Sequence, residues 1–186
     1  MTLTPGARKF ALTAHVTSSV GWLGAVVVFL GLGVLGLTSQ DPQTVRGVYL
    51  VMEPAAWGVL VPLGFASLLT GIVQSLGTTW GLFRHYWVLF KLGINVLATV
   101  VLLLHMQTLD LLADLAADTS SGADLSGLRS PSPLIHAGGA LLLLLVAAGL
   151  SVYKPRGMTR YGQRRQRERA LPQRALSQPR SALSRP

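Results

Sequence analysis

The sequence predicts an all-α polytopic membrane protein, a bundle of four transmembrane helices with both chain termini in the cytoplasm. Four apolar runs are each long enough to cross the roughly 30 Å hydrocarbon core of a bilayer. Only 12% of the 186 residues are charged, whereas about 25% is usual in soluble domains. The basic residues collect on one side of the four runs, which is typical of cytoplasmic segments.

The first predicted span covers residues 10–37 and follows a short polar segment, 1–9, that ends with Arg8 and Lys9. The span is much longer than the roughly 7–15-residue apolar core of a signal peptide, so we interpret it as a retained helix. Gly21 and Ala25 form a small-xxx-small pair, which lets helix backbones approach closely in lipid.

The second predicted span covers residues 48–77. Pro62 lies inside it and predicts a kink, because proline cannot donate a helical hydrogen bond. The dipeptide Glu53-Pro54 leaves two interpretations open. Either the helix begins at Pro54 with Glu53 as an interfacial cap residue, or it begins earlier and buries a carboxylic acid.

The third predicted span, residues 86–106, carries polar residues in an ordered stripe. At about 100° per residue, one helix face holds four of them: Lys91, Asn95, Thr99 and His105. Polar groups at membrane depth face protein or water rather than acyl chains. The stripe therefore predicts a bundle around this helix, and Asn95 and Thr99 are expected to form interhelical hydrogen bonds.

Beyond the third span, three aspartates at a spacing of four residues continue the helical pattern: Asp110, Asp114 and Asp118. Residues 120–133 are rich in Gly, Ser and Pro and predict a loop. The fourth predicted span covers residues 134–152 and includes five consecutive leucines.

Residues 154–186 form a basic tail. They hold ten basic residues and one acidic residue, while the other 153 residues hold six of each, so the net charge of +9 belongs to the tail. Its Arg-, Gln-, Ser- and Pro-rich composition predicts a mostly disordered segment. Four basic residues in it are expected to bind anionic lipid headgroups, with nucleic acid a weaker alternative: Arg164, Arg165, Arg167 and Arg169.

The four histidines lie near the ends of the spans. His15 and His85 belong to the side of the termini, which holds 14 of the 16 basic residues and is therefore predicted to be cytoplasmic. His105 and His136 belong to the opposite side. One histidine pair at each face is a pattern that holds two haems. However, His85 and His105 are about 30 Å apart along one helix and about 200° around it, so they cannot both face the interior.

A single outer site is the stronger hypothesis. Glu53, His105 and His136 would converge from three helices, and two imidazoles with a carboxylate suit copper or zinc, or a proton relay. The alternative is that both histidines are interfacial and that Glu53 caps a helix. On the inner side, His15 is either a one-sided haem ligand or a hydrogen-bond partner across helices. Lys91 is expected to extend its side chain to the cytoplasmic headgroups.

Several enzyme classes lack their motifs in this sequence. The chain contains no cysteine, which excludes disulfides, thiolate metal sites and cysteine nucleophiles. It also contains no Gly-rich phosphate loop, nucleophile elbow or catalytic-triad spacing. The residues alone therefore favour a protein that is not an enzyme.

Two segments carry a family resemblance. His15 followed by Ser19-Val20-Gly21-Trp22-Leu23-Gly24-Ala25 resembles the opening helix of the copper-resistance protein D-like domains and the HemJ-type protoporphyrinogen oxidases. It also resembles a related uncharacterised family of bacterial integral membrane proteins. Residues 153–162, YKPRGMTRYG, are most similar to that uncharacterised family as found in actinobacteria.

The resemblance implies a four-helix bundle in the bacterial plasma membrane, with haem b or copper as the cofactor. In the HemJ type, a histidine of the first span and a lysine of a later span matter for haem binding, and His15 and Lys91 are the nearest counterparts here. The leading interpretation is a binding or accessory subunit that acts with a second copy or another membrane protein. The alternative is a haem- or copper-handling protein.

Overall fold

The predicted all-α bundle of four membrane-spanning helices is confirmed. The computed structural model describes residues 3–77, 81–118, 126–155 and 157–177. Within these ranges the chain is helical and has no β-strand, and four of its helical segments are long and apolar enough to cross a membrane. The protein is therefore an all-α four-helix membrane bundle.

Six α-helices follow one another in the described part of the chain. They are α1 (Pro5–Thr38), α2 (Pro42–Ala55), α3 (Val61–Gly77), α4 (Tyr86–Ala117), α5 (Ser132–Tyr153) and α6 (Arg160–Ser177). A π-helical segment, Ala56–Leu60, joins α2 to α3 into one continuous second span. A short 3-10 turn, Ser126–Leu128, precedes α5.

The four spans form an antiparallel ring. The first span, α1, packs against the second span and against α5, and the third span, α4, packs against the same two neighbours. Helices α1 and α4 therefore face each other across the centre of the bundle. This arrangement allows side chains of α1 and α4 to meet inside it.

The surface of the bundle is apolar, as a lipid-facing surface must be. Val28, Leu104 and Leu142 expose 60%, 64% and 67% of their area. Trp22 and Met106, in contrast, are almost completely buried. In water such a large exposed apolar surface would be unfavourable, so its natural solvent is the acyl-chain region of a membrane.

A glycine of α1 allows a close contact with the backbone of α5. A Cβ atom placed on Gly33 would lie 3.2 Å from the backbone Cα and N of Leu134 in α5. A Cβ on Gly21, which belongs to the predicted small-xxx-small pair, would make only ordinary contact at 3.5 Å with Leu63. A side chain at Gly33 would therefore force the α5 backbone to shift.

The second span begins earlier than the sequence predicts. Asp41 caps α2, because its Oδ2 accepts hydrogen bonds from the backbone N and the Oγ1 of Thr44, at 3.0 and 2.6 Å. These hydrogen bonds lower the pKa of the exposed Asp41 carboxyl. Glu53 consequently lies inside the helix, so the helix begins earlier, as the second interpretation has it, but the residue is only half-buried.

Two prolines flank the π-helical segment. Pro54 precedes it and Pro62 follows it. The backbone N–H of Val61 donates to the carbonyl of Ala56, five residues earlier, instead of to the usual fourth residue. Proline has no backbone N–H to donate, and its ring clashes with the carbonyl of residue i−4. The wider π-helical turn accommodates both constraints within a continuous helix.

The helix of the third span continues beyond residue 106, as the aspartate spacing indicates. Helix α4 ends at Ala117, and its last three turns pack inward through Leu109 and Leu112. Asp110 is half-buried and accepts a hydrogen bond of 3.3 Å from Nε1 of Trp57. The extension is therefore part of the packed bundle.

The basic tail is predicted to be mostly disordered, but the part of it that forms α6 is helical. Thr159 ties it to the segment before α4: its Oγ1 donates to the carbonyl of Phe83 at 2.6 Å, and its backbone N donates to that of Arg84 at 3.0 Å. The same Oγ1 accepts the backbone N–H of Gly162 and so caps the helix. Residues 178–186 of the predicted tail and 119–125 of the predicted loop lie outside the described residues.

Candidate functional site

The polar stripe of α4 faces the interior of the bundle, as predicted. Asn95, Thr99 and His105 expose 7%, 4% and 8% of their area, and Lys91 is half-buried. The expected interhelical bond of Thr99 is not made, because its hydroxyl donates to the carbonyl of Asn95 in the same helix at 2.8 Å. A threonine in a transmembrane helix can satisfy its hydroxyl in this way without a neighbour.

His15 forms the predicted hydrogen bond across helices. Its Nδ1 lies 3.1 Å from the carbonyl oxygen of Ser67 in α3 and 3.2 Å from Oγ1 of Thr70. Because a carbonyl can only accept, Nδ1 carries the proton in the bond to Ser67. In the neutral ring, Nε2 therefore keeps its lone pair.

Lys91 meets His15 from the opposite helix. Its Nζ lies 3.4 Å from Nε2 of His15, within hydrogen-bond distance. The expected extension toward the headgroups is thus replaced by a contact inside the bundle. Among the described residues, no carboxylate lies within ion-pair distance of Lys91. The ammonium group and the imidazole lone pair are therefore each other's partners.

Both groups line a cavity of about 270 Å³ near the end of the bundle that holds the termini, which we call the His15 cavity. Its walls are mostly apolar, and its polar members are His15, Gln74, Ser75, Lys91, Asn95, Ser151 and Lys154. No aspartate or glutamate is among the described residues of this lining. Oε1 of Gln74 is buried without a hydrogen-bond partner. The lining of the cavity thus carries positive charge, and one buried amide oxygen of a lining residue has no hydrogen-bond partner.

The imidazole of His15 packs against the backbone of α3 at Gly71. A Cβ atom at this position would lie 3.0 Å from Cε1 of His15 and 3.4 Å from its Nδ1. Because the ring packs directly on the α3 backbone, its rotation is restricted while Nδ1 reaches Ser67. The orientation of Nε2 is therefore built into the fold.

The outer residues assemble only in part. The rings of His105 and His136 stack, with centroids 4.0 Å apart and planes inclined by 13°. Glu53 does not join them, and the described part of the chain holds no group of three His, Asp or Glu side chains able to bind a metal ion. The reason is helical phase: Met52 faces the interior, and Glu53 points about 100° away from it.

The stacked pair is also poorly arranged for a shared metal ion. Nδ1 of His136 donates to the carbonyl of Ser132 at 2.8 Å, so its lone pair resides on Nε2. Imidazole lone pairs lie in the plane of the ring, whereas the two rings meet face to face. The geometry therefore does not support the predicted copper or zinc site at Glu53, His105 and His136.

His85 does not pair with His15 in the cavity. It lies before α4, and its ring centroid is 6.5 Å from that of Trp87. Within the described lining of the His15 cavity, His15 is the one imidazole. The histidine pair that the two-haem pattern needs on this side is therefore not assembled in the described lining.

The tail arginines are exposed on α6. Nε of Arg164 pairs with Glu168 at 3.1 Å, and Nε of Arg165 donates to the hydroxyl of Tyr161 at 3.3 Å. That hydrogen bond raises the pKa of Arg165. Arg167 is also exposed, and the side chain of Arg169 lies outside the described residues, as does Arg156. The exposed guanidinium groups remain accessible to anionic headgroups.

Sequence reasoning did not identify the α3 contribution to the site. Ser67, Thr70 and Gly71 follow a spacing of three and four residues, which places them on one helix face. This polar and small-residue face was the available signal. Comparison of the chain with models of protein families, with curated proteins and with solved structures finds no match.

Proposed function

We propose that this membrane protein is a binding protein for haem b, held in the His15 cavity through Nε2 of His15. The observation that carries the proposal is the hydrogen bond from Nδ1 of His15 to the carbonyl of Ser67. Histidines that ligate metals commonly donate their second nitrogen to a carbonyl, which sets the tautomer and the orientation of the ring. The family resemblance of His15 and Lys91 supports the same ligand.

The polar groups of the lining fit the iron and carboxylates of a haem held from one side, and the cavity of about 270 Å³ must widen to admit the macrocycle. His15 supplies one neutral ligating nitrogen, and the described lining holds no second imidazole. Lys91 supplies a cation for a carboxylate substituent, and the described lining contains no acidic side chain. Bound haem supplies one-electron redox chemistry, and its axial ligand tunes the reduction potential.

Lys91 competes with the iron for the same lone pair. Its Nζ lies 3.4 Å from Nε2, so the lysine must move before a metal can bind there. Its flexible four-carbon stem allows this movement. In the proposed complex, the displaced ammonium group pairs with a haem carboxylate.

The haem proposal is tested by titrating detergent-purified full-length protein with haemin and recording the absorption spectrum. We expect saturable binding of one haem per chain, with a Soret band that shifts on reduction. His15→Ala should weaken the affinity by at least about tenfold, because the imidazole that would hold the iron is lost.

His85→Ala is the matched control, since His85 lies before α4 and outside the described lining of the cavity. Its affinity for haem should equal that of the unsubstituted protein. Equal affinity of the His15→Ala variant, or a protein that takes up no haem above the detergent background, would contradict the proposal.

We also propose that the end of the bundle holding both termini faces the cytoplasm of a bacterium. Arg8, Lys9 and the tail lie at this end, whereas Arg46 and Arg129 lie at the other. Basic residues near spans are retained on the cytoplasmic side. The exposed arginines of α6, Arg164, Arg165 and Arg167, together with Arg169, would then contact the anionic inner leaflet.

The absence of cysteine from the sequence makes this topology directly measurable. We expect a membrane-impermeant maleimide to label Gln43→Cys in intact cells, because Gln43 lies at the exposed start of α2. Gln163→Cys, on exposed α6, should react only after the cells are permeabilised. Labelling of Gln163→Cys in intact cells would reverse the orientation.

A further inference from the structure

The rim of the His15 cavity is tied to the basic tail. Leu82 and Trp87 line the cavity from either side of the start of α4. The backbone between them, residues 83–85, is paired with the backbone of the tail just before α6. We call residues 82–87 the rim, and residues 158–162 of the tail the strap.

Three directed contacts join the strap to the rim. Oγ1 of Thr159 donates to the carbonyl of Phe83 at 2.6 Å, and its backbone N donates to the carbonyl of Arg84 at 3.0 Å. His85 and Met158 add an isolated antiparallel bridge. The strap therefore holds the part of the rim that lies between the two lining residues.

Gly162 brings the strap into direct contact with the backbone of the rim. It is buried, and a Cβ placed on it would lie 2.5 Å from the carbonyl oxygen of Arg84 and 3.2 Å from its Cα. Because these are backbone atoms, a larger residue at Gly162 must lift the strap away. A Cβ on Gly157, outside the strap, would make ordinary contact at 3.7 Å with the ring of Tyr86.

The attachment of the strap is polar and local. Helix α6 continues from it with exposed described side chains, apart from Gly162, and has no extended packing against the four spans in the described part of the chain. A few hydrogen bonds at the edge of a fold open at lower cost than packed helices separate. The rim is therefore a piece of the cavity wall that can move while the spans stay together.

We propose that the strap is a gate on the His15 cavity. While it holds the rim, the cavity keeps its volume of about 270 Å³, and its release lets the rim move so that a bulky ligand enters from the end that holds the termini. For haem the inference rests on the proposed function, since the macrocycle needs a wider cavity than the closed one. The gating motion itself does not depend on which ligand is bound.

The gate is tested without a ligand through the reactivity of a thiol inside the cavity. Asn95 lines the cavity and exposes 7% of its area, and the sequence has no cysteine, so Asn95→Cys supplies a single buried thiol. In full-length protein in nanodiscs, adding Gly162→Ala should let a fluorescent maleimide label this thiol at least about tenfold faster, because the hydrogen bonds of the strap are lost.

Gly157→Ala is the matched control on the same tail, and it should leave the labelling rate of Asn95→Cys unchanged. Equal rates in the Gly162→Ala and Gly157→Ala backgrounds would overturn the gate. Should Gly162→Ala fail to fold, Thr159→Val replaces it with the same expectation, because it removes the hydroxyl that donates to Phe83 at nearly constant volume.

A disulfide tests the closed state. Residues opposite each other in an antiparallel bridge have Cα atoms about 4.5–5.5 Å apart, which a disulfide spans, so His85→Cys with Met158→Cys should lock the strap. The oxidised variant should take up haemin at least about tenfold more slowly than the same variant reduced with a phosphine that is removed before the titration.

The two experiments separate the gate from the ligand. A protein that takes up no haemin in any form contradicts the proposed function, and the thiol labelling then decides the gate by itself. In a protein that does bind haemin, equal uptake rates of the oxidised and reduced variants would overturn the gate and leave the proposed function standing.

Discussion

Gly33→Leu is expected to destabilise the bundle by about 3 kcal/mol or to prevent its assembly. The reason is the contact between α1 and α5, where a Cβ on Gly33 would lie 3.2 Å from the Cα and N of Leu134. Those atoms belong to the backbone and cannot rotate away, so the whole helix must move. Unfolding of the purified protein by increasing mole fraction of SDS in mixed micelles measures the loss.

The control for this substitution lies two residues earlier on the same helix. A Cβ on Gly31 would have no heavy atom within 4 Å, and the residue is exposed. Gly31→Leu should therefore leave the unfolding midpoint unchanged or raise it slightly, because leucine is the better helix former. Equal effects of the two substitutions would show that α1 and α5 do not approach at Gly33.

Gly71→Val is expected to disable the His15 cavity without removing any polar group. The new Cβ would come within 3.0 Å of Cε1 of His15, and its two methyl groups would extend further toward the ring. The imidazole must then leave Ser67, so Nε2 loses its orientation. We expect haem affinity to fall by at least about tenfold and the free energy of unfolding by about 1–3 kcal/mol.

The two measurements on Gly71→Val distinguish its effect on haem affinity from its effect on the stability of the fold. Haem titration reports the orientation of Nε2, and SDS unfolding reports the clash itself. Gly24→Val is the matched control, because a Cβ there meets nothing within 4 Å and the residue is exposed. An unfolding midpoint for Gly71→Val equal to that of Gly24→Val would contradict the packing of His15 on α3.

The contact between His15 and Lys91 is a product of how the helices of the bundle pack. The two residues are 76 positions apart in sequence, and their nitrogen atoms lie 3.4 Å apart. Helical periodicity places Lys91 on the polar face of α4, but a single helix cannot show which residue it meets. The meeting depends on α1 and α4 lying diagonally across the ring, which is a property of how four helices pack.

The tail shows a second respect in which the sequence alone did not predict the structure. Its composition predicts disorder, because it has too little apolar surface to form a core. The order of α6 begins instead with the bonds of Thr159 to the backbone of Phe83 and Arg84. These partners lie 75 or more residues away in the chain, so no local pattern could indicate them.

The sequence by itself determined the class of this protein. The length of an apolar run and the polar face of a helix are local properties of the sequence, and crossing a bilayer depends directly on both. The sequence also determined the four spans and the buried face of α4. Tertiary structure alone decided which polar residues meet: His15 joined Lys91 and Ser67, and His105 stacked on His136, while Glu53 was left apart. The physical reason is that membrane depth follows from position along a helix, whereas convergence depends on helix rotation and neighbour choice, which long-range packing sets.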